Sequence, residues 1–433
     1  MRKAALHNLG CKVNSYETEA MTQMLQKAGY CIVPFGENAD VYIINTCSVT
    51  NMADRKSRQM LHKAKKMNPQ AVVVAAGCYV QTASDKVIND NSVDIVIGNN
   101  KKKDLISVLN DYFEEHQENA ESIIDINHTS EYEDLEIETV TEHTRAHIKI
   151  QDGCDNFCSY CIIPYARGRV RSRSLESIRR EMLRLADNGF KEIVLTGINL
   201  GFYNAGENKL IDVIEMAEQI KGIERIRLGS IDPEIVTEEF SERLSKISKI
   251  CPHFHLSMQS GCDKTLSEMN RHYTSGEYYE KCCMLRKYFD TPAFTTDVIV
   301  GFPGESDADY NVSKEFVKKV GFAELHVFKY SKRDGTVAAK MPNQVDEQIK
   351  NKRSDDLIKI GEQLTKNYRK NKIGKTVSVL FEEKSEIHGT EYWVGHTKDY
   401  IKAAVLSEED LSGKTADVKL IDFISSEIML ATR

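Results

Sequence analysis

Short apolar stretches alternate with longer amphipathic ones over the first 120 residues. The apolar runs are rich in Val, Ile and Ala, as buried strands are; they are KAALHNL (3–9), DVYIINT (40–46), AVVVAAG (71–77) and VDIVIG (93–98). The stretches between them predict helices: SYETEAMTQMLQKAG (15–29), NMADRKSRQMLHKAKKM (51–67) and KKKDLISVLNDYFEEH (101–116). This alternation predicts an N-terminal α/β domain, residues 1–120, in which helices cover a parallel sheet.

A second α/β run occupies residues 144–372. Its predicted strands are RAHIKIQ (145–151), EIVLTGI (192–198), RIRLGSI (225–231), HFHLSMQS (253–260), FTTDVIVGF (294–302) and ELHVFKY (324–330). Helical stretches between them include SLESIRREMLRLADNG (174–189) and DADYNVSKEFVKKVG (307–321). Because six units occur without a clear seventh and eighth, we expect a central partial (β/α)6 barrel.

Two further segments complete the domain organisation. Residues 121–143 are acidic and strand-poor, which predicts a linker. A basic helix near 346–372 leads to the last segment, 373–433, which alternates apolar and polar residues in TVSVLF, EYWVGHT, YIKAAVL, TADVKLIDF and EIMLATR. That alternation predicts a small antiparallel β-barrel or sandwich.

The charge balance restricts how the protein binds nucleic acid. With 58 Lys and Arg against 65 Asp and Glu, the formal net charge is -7, so any RNA contact must come from local basic patches. The opening MRKAALHNLGCK lacks a signal peptide's apolar run, and no stretch approaches the roughly 20 apolar residues of a membrane span. We therefore expect a cytoplasmic protein, whose 11 cysteines are metal ligands or core residues rather than disulfides.

Three cysteines form a C-x3-C-x2-C triad in GCDNFCSYC, directly after RAHIKIQ: Cys154, Cys158 and Cys161. Three thiolates on one loop hold three irons of a cubane cluster and leave the fourth iron open to a small-molecule ligand. A structural zinc site is the alternative, but it needs a fourth Cys or His, and none follows Cys161 closely. The spacing resembles the radical S-adenosylmethionine signature.

A second triad is spread over the first domain. Each of its members follows a predicted strand: Cys11, Cys47 and Cys78. Because ligands bind beyond the carboxyl ends of parallel strands, we expect these three thiols to converge and hold a second cubane cluster. The alternative is that they are small core residues. The other five cysteines have no shared position and are expected to be packing residues: Cys31, Cys251, Cys262, Cys282 and Cys283.

Glycines at two strand ends suit binding of S-adenosylmethionine. TGINLG (196–201), with Thr196 and Gly197, can present backbone groups to the methionine moiety. DVIVGFPGE (297–305), with Gly301 and Gly304, allows close backbone approach to an adenosine. Ordinary turns are the alternative in both places.

Candidate RNA contacts follow the triads. Four arginines alternate along the chain just after Cys161 and would line one face of an extended segment: Arg167, Arg169, Arg171 and Arg173. DRKSRQMLHKAKK (54–66), after Cys47, is a second basic stretch. For both, an ordinary solvated face is the alternative. Three aromatic residues of the last segment either stack on bases or fill the barrel core: Tyr392, Trp393 and Tyr400.

The motifs together resemble the radical S-adenosylmethionine methylthiotransferase family along nearly the whole chain. The N-terminal blocks are NLGCKVNSYETE (8–19), NTCSVT (45–50) and AGCYVQ (76–81), and the later ones are GCDNFCSYCIIPYARGRVRSR (153–173), HLSMQSGCDKTLSEMNRHYT (255–274) and TDVIVGFPGE (296–305). The resemblance implies two 4Fe–4S clusters on the two triads, S-adenosylmethionine, a tRNA substrate, a TRAM-like RNA-binding C-terminal domain, and an electron donor such as a flavodoxin or ferredoxin.

The chemistry implied by the resemblance is attack on an unactivated C–H bond, which a cofactor must perform. The radical cluster would cleave S-adenosylmethionine reductively, the N-terminal cluster would hold the sulfur, and a second S-adenosylmethionine would supply the methyl group. The opening LGCKVNSYE is similar to the branch that methylthiolates C2 of N6-threonylcarbamoyladenosine beside the anticodon, at position 37.

Three alternatives stay open at this point. Other branches of the family act on isopentenyladenosine in tRNA or on an aspartate of a ribosomal protein. A protein of a different class, a non-catalytic metal-containing RNA-binding protein, is the third. Two triads that each lack a fourth ligand argue against it, because structural metal sites close their coordination.

Overall fold

The N-terminal part of the protein is one parallel sheet covered by helices. The computed structural model describes residues 1–115, 120–138 and 144–433. The strands are β1 (Lys3–Asn8), β2 (Cys31–Ile32), β3 (Val41–Thr46), β4 (Val72–Gly77), β5 (Ile95–Ile97) and β6 (Ala120–Ser122). The helices are α1 (Lys12–Lys27), α2 (Asn51–Met67), α3 (Cys78–Thr82), α4 (Ser84–Ile88) and α5 (Leu105–Glu115). The sheet order is β2-β1-β3-β4-β5-β6, which confirms the predicted parallel α/β sheet.

The register of this sheet aligns the ends of its three central strands. Strands β3 and β4 are buried along their whole length, as their apolar composition predicts. Asn8 pairs with Asn45, and Thr46 pairs with Gly77. Strands β1, β3 and β4 therefore end at one edge, and the residues that follow them lie side by side.

The central part contains the second α/β run. Its strands are β7 (Arg145–Lys149), β8 (Gln151–Asp152), β9 (Arg171–Ser172), β10 (Glu192–Thr196), β11 (Asn204–Ala205), β12 (Asn208–Lys209), β13 (Arg225–Leu228), β14 (Ser230–Ile231), β15 (His253–Leu256), β16 (Ala293–Val300) and β17 (Glu324–Lys329). Its helices are α6 (Ile163–Arg167), α7 (Leu175–Asp187), α8 (Leu210–Glu218), α9 (Glu238–Ser245), α10 (Asp263–Glu268), α11 (Ser275–Tyr288), α12 (Asp307–Val320) and α13 (Glu347–Lys370).

The long strands of this part form two parallel sheets, ordered β13-β10-β7 and β14-β15-β16-β17. Strands β13 and β14 are the two halves of the predicted strand RIRLGSI, separated at Gly229. A Cβ at Gly229 would lie 2.9 Å from the carbonyl oxygen of Leu195, so the break lets two backbones approach. The strands follow the chain order across both sheets.

The last segment is a closed five-stranded barrel. Its strands are β18 (Thr376–Ile387), β19 (Thr390–Thr397), β20 (Lys402–Val405), β21 (Thr415–Phe423) and β22 (Ile428–Thr432). The order is β18-β19-β20-β22-β21, and β18 also pairs with β21. One pair, β20 with β22, is parallel, so the barrel is not purely antiparallel as expected. Trp393 belongs to its buried core.

The expected linker packs against both neighbouring parts of the chain. Its first residues form β6, the edge strand of the N-terminal sheet. Further along, Leu135 and Ile137 are buried against Tyr16 and Ala20 of α1. The acidic side chains that suggested a solvated segment pair with basic residues instead, as Glu136 does with Arg180 and Arg184. Residues 139–143 of the expected linker lie outside the described residues.

The remaining regular structure consists of short 3-10 turns at Lys102–Asp104, Ile126–His128, Leu200–Phe202, Pro233–Ile235 and Ala338–Lys340. Within the described ranges, none of the helices is long and apolar enough to span a membrane.

Candidate active site

The first cysteine triad lies at the common edge of β1, β3 and β4. Cys47 directly follows β3, Cys78 begins α3, and Cys11 precedes α1 without capping it. Gly10 has φ +109°, and a Cβ there would lie 2.8 Å from the Cys47 Sγ, so only glycine allows this approach. The three thiols are close enough to act on one another electrostatically. The structure thus brings the triad together as predicted from the strand ends.

The second triad occupies the loop between β8 and α6. Gly153, with φ +72°, precedes it, and a Cβ there would lie 1.9 Å from the carbonyl oxygen of Arg169. The Ile163 N–H donates to the Cys161 Sγ at 3.4 Å, and the Arg271 guanidinium donates to the Cys158 Sγ at 3.4 Å. N–H donors of this kind stabilise negative charge on sulfur ligands.

Both triads suit iron–sulfur clusters better than single ions. Among the described residues, three or more ligand atoms within 4.8 Å of one another occur only at His255, Asp297 and His326. Neither triad belongs to such a compact group, and three thiolates can instead hold three irons of a cubane cluster.

Burial disfavours the thiolate form of the triad cysteines. Burial raises the pKa of Cys47 and of Cys154 to about 11, and burial together with Cys158 raises that of Cys161 to about 12. Without a metal these thiols are protonated at neutral pH, so ligand binding must displace their protons.

A cavity of about 640 Å³ lies between the two triads. Three parts of the chain contribute to its wall: Cys11 from the N-terminal sheet, the second triad from the central part, and Tyr400 from the C-terminal barrel. Thr196 and Gly197 line it, as expected for a cofactor site. A cavity of this volume accommodates a drug-sized ligand.

Gln151 ties the strand-end segment TGINLG to the radical triad. Its Oε1 accepts from the N–H groups of Ile198 and Asn199, both at 2.9 Å, and its Nε2 donates to the Gly153 carbonyl at 2.7 Å. A Cβ at Gly197 would lie 2.9 Å from the Gln151 Oε1. The glycine is therefore required by this junction, whose backbone faces the cavity.

Gly301 and Gly304, the residues expected beside the adenosine of S-adenosylmethionine, lie close to other parts of the backbone and to helix α13. Neither residue is on the wall of the cavity. A Cβ at Gly301 would lie 2.3 Å from the Lys350 Cγ, so this glycine makes room for α13. Gly304, with φ +80°, donates its N–H to the Asn343 carbonyl. That these two glycines let the backbone approach the adenosine of S-adenosylmethionine stays a prediction.

Polar and aromatic residues from distant parts of the chain complete the cavity wall. Arg271 pairs with Asp232 at 3.1 Å, and the Asn156 side chain donates to the same carboxylate. Tyr400 adopts φ +69° and lies between guanidiniums, 4.8 Å from Arg227 and 5.2 Å from Arg145. Two of the wall residues had a sequence signal. Tyr400 was expected to stack on bases or to fill the barrel core, and Lys12 is a charged residue that adjoins the predicted ligand Cys11 at a strand end.

The arginine run does not form the expected RNA-facing row. Three of its four side chains are fully buried and only Arg169 is exposed. Arg167 ends α6, Arg171 donates to the carbonyls of Arg167 and Arg169, and Arg173 pairs with Asp134 and Glu181. Because carboxylates elsewhere in the chain neutralise them, these arginines hold the structure together instead of meeting phosphates.

Arg167 belongs to a buried ion cluster between α1 and the central part. Glu17 accepts from Arg167 at 2.8 Å and from Lys149 at 2.7 Å, and Lys102 lies 3.1 Å away. Asp152 accepts from the same arginine at 3.0 Å. Burial alone would raise the pKa of Glu17, but Arg167, Lys102 and Lys149 outweigh it and hold that pKa well below its usual range.

Replacing Arg167 with methionine is expected to lower the free energy of unfolding by about 3–5 kcal/mol, because two buried carboxylates lose their shared guanidinium. The control is Arg180→Met, which removes an exposed partner of Glu136 and should cost about 1 kcal/mol or less. Urea titrations of both variants, followed by circular dichroism, measure the difference. Equal losses in the two variants would show that the cluster does not stabilise this junction.

The other candidate RNA contacts have mixed surroundings. In α2, Lys56, Lys63 and Lys66 are exposed, whereas Lys65 pairs with Asp94 at 2.8 Å. Trp393 is buried in the barrel core, and Tyr392 is half-buried.

Of the cysteines expected to pack, Cys251, Cys262 and Cys282 are buried, but Cys283 is exposed.

Comparison with known proteins agrees with this architecture. Residues 3–98 match the uncharacterized protein family UPF0004, and residues 148–317 match the Radical SAM superfamily. The threonylcarbamoyladenosine tRNA methylthiotransferase MtaB of Bacillus subtilis (strain 168) is 41% identical over 97% of this chain and 94% of that relative. The tRNA-2-methylthio-N(6)-dimethylallyladenosine synthase of Finegoldia magna is 33% identical over 96% and 91%. A structure of the methyltransferase TsrM from Kitasatospora setae shares the fold, with a TM-score of 0.58 over 76% of this chain and 72% of that one at 13% identity.

Proposed function

The chain belongs to the family of threonylcarbamoyladenosine tRNA methylthiotransferases, and from this premise we propose that it inserts a methylthio group at C2 of N6-threonylcarbamoyladenosine, position 37 of tRNA. One observation carries the proposal. Cys11 of the first triad and all three cysteines of the second line the same cavity. A substrate atom in this cavity can therefore reach both triads, as hydrogen removal and sulfur insertion at one carbon require.

The family uses 4Fe–4S clusters and S-adenosylmethionine, and the donor sets described above fit them. The residues that would hold the clusters are Cys11, Cys47 and Cys78 on one side of the cavity and Cys154, Cys158 and Cys161 on the other. When bound, these groups supply reductive cleavage of S-adenosylmethionine and the sulfur to be transferred. The chain's own residues hold the reactants between the two triads and keep bulk water away.

Other residues of the wall position the reactants. The backbone at Thr196 and Gly197, fixed by Gln151, is suited to bind the methionine moiety of S-adenosylmethionine. Arg271 places a positive charge beside Cys158 and compensates the negative charge of a thiolate ligand. The pair that Arg271 forms with Asp232 keeps the guanidinium in place.

The same proposal covers the domain organisation. Residues 1–120 carry the auxiliary cluster, and residues 121–143 link them to the next domain. Residues 144–372 form a radical domain, in which the two sheets are halves of a partial (β/α)6 barrel. Residues 373–433 are a TRAM-like RNA-binding barrel, with the exposed lysines of α2 and Arg169 as further RNA contacts. The protein works in the cytoplasm and receives electrons from a donor such as a flavodoxin or ferredoxin.

Nucleoside mass spectrometry of tRNA from a strain that lacks the gene tests this function. The expected result is loss of 2-methylthio-N6-threonylcarbamoyladenosine and accumulation of its unmethylthiolated precursor, both reversed by the wild-type gene. Loss of the methylthiolated isopentenyl nucleoside instead would overturn the substrate assignment. An unchanged tRNA nucleoside profile would overturn the proposed function as a whole.

A further inference from the structure

Lys12 places a cation on the wall of the cavity beside the first triad. It directly follows Cys11, begins α1, and is exposed to the cavity. Within the ranges that the structure describes, its ammonium forms no ion pair and no side-chain hydrogen bond. A lysine placed in an enclosed site without a counter-charge indicates an anionic ligand.

The charges around Lys12 add to this positive field. The groups that act on its ammonium are two guanidiniums, Arg227 and Arg145, and one carboxylate, Glu192. Glu192 is already engaged, because it accepts from Arg227 at 2.6 Å and lies 3.7 Å from Arg225. Lys12 therefore has no carboxylate of its own.

The carboxylates elsewhere on the cavity wall do not supply the missing charge. Asp232 pairs with Arg271, and Asp297 is not among the charges that act on Lys12. Glu324, the third, is not among the charges that act on Lys12. The position beside Lys12 is therefore the part of the cavity best suited to an incoming anion.

The substrate's chemistry narrows the choice of anion. C2 and N6 both lie on the Watson–Crick edge of adenine, on either side of N1, so a substituent on N6 extends along the edge that carries the reacting carbon. The threonylcarbamoyl substituent ends in a carboxylate. The methionine carboxylate of S-adenosylmethionine belongs with the second triad, on the part of the wall that carries Arg271 and Thr196.

We propose that Lys12 binds the carboxylate of the threonylcarbamoyl group and so selects the carboxylate-bearing adenosine. This inference rests on the proposed function and names the residue that sets its substrate. Two of the arginines expected to contact RNA are less suited to this role, because Arg167 already pairs with Glu17 and Asp152 and Arg169 lies 3.5 Å from Asp155.

The test measures the affinity of the reconstituted full-length protein for two anticodon stem-loop RNAs. One carries threonylcarbamoyladenosine, and the other carries the same group with its carboxylate converted to a carboxamide. Wild-type protein should bind the carboxylate RNA roughly tenfold to a hundredfold more tightly, the effect of one charge-assisted contact in an enclosed site. Lys12→Gln should reduce this preference to about threefold or less, and Lys12→Arg should retain most of it.

The matched control is Lys27→Gln, at the far end of α1, where the lysine pairs with Glu138 on the surface; its preference should equal that of wild type. If Lys12→Gln weakens both RNAs equally, Lys12 contacts a phosphate and the inference is overturned. If Lys12→Gln keeps the wild-type preference for the carboxylate RNA, the inference is overturned as well. The same holds if this variant binds S-adenosylmethionine more weakly while its RNA preference stays intact. Wild-type protein that fails to methylthiolate threonylcarbamoyladenosine overturns the proposed function itself, whatever Lys12 does.

Discussion

Replacing Cys154, Cys158 and Cys161 together with alanine is expected to abolish cleavage of S-adenosylmethionine and to halve the bound iron. The intact protein should hold about eight irons after anaerobic reconstitution, and this variant about four. The physical reason is that the loop between β8 and α6 supplies all three ligands, while the first triad lies on a different sheet. Iron analysis and chromatographic detection of 5′-deoxyadenosine measure the two effects.

The matched control removes the same number of thiols outside both triads, as Cys31→Ala, Cys262→Ala and Cys283→Ala. This control should keep about eight irons and the wild-type cleavage rate. About eight irons in the radical-triad variant, or continued cleavage of S-adenosylmethionine by it, would show that these cysteines do not hold the cluster that cleaves S-adenosylmethionine.

Replacing Cys11, Cys47 and Cys78 together is expected to stop methylthiolation while cleavage of S-adenosylmethionine continues. These thiols lie at the edge of β1, β3 and β4, and only Cys11 reaches the cavity wall. Their loss removes the sulfur-bearing site but leaves the Gln151 junction and the second triad in place. We expect about four irons, continued 5′-deoxyadenosine formation, and no methylthiolated nucleoside.

Folding must be checked in this variant, because the buried ion cluster around Glu17 joins α1 to the central part. A urea transition like that of wild type establishes that the two parts stay joined. Loss of cleavage in protein that passes this check would contradict two separate sites.

The strands were the most predictable part of the fold. Apolar runs such as VYIINT and VVVAAG lie in the middle of a sheet, where both faces are buried, so composition alone marks them. Edge strands such as β2 and β6 escaped prediction because two or three residues carry too little pattern.

The cysteines were predictable because a strand end is a position that the sequence itself encodes. Parallel pairing then brings Cys47 and Cys78 side by side without any further information. The burial of the arginines was not predictable, because their alternation along the chain does not indicate which side chains the fold will bury. Arg167 meets Glu17, and Arg173 meets Asp134 and Glu181, partners that only the tertiary fold brings near.

The cavity wall was the least predictable part of the site. Tyr400 reaches the cavity wall from the C-terminal barrel. Its left-handed backbone conformation is not marked by any local pattern in the sequence. His255, Asp297 and His326 come from three neighbouring strands and converge only through the register of β15, β16 and β17. Long-range contacts of this kind depend on how the sheets pack, which a single sequence does not state.

The most direct test of the central claim supplies reconstituted protein, S-adenosylmethionine, a sulfur source and a reductant with tRNA bearing either threonylcarbamoyladenosine or isopentenyladenosine. Mass spectrometry of the digested nucleosides then shows which base has gained a methylthio group. We predict 2-methylthio-N6-threonylcarbamoyladenosine from the first tRNA and at most a trace of product from the second. Methylthiolation of the isopentenyl form alone would contradict the substrate assignment, and 5′-deoxyadenosine formation without methylthiolation of either tRNA would contradict the proposed function.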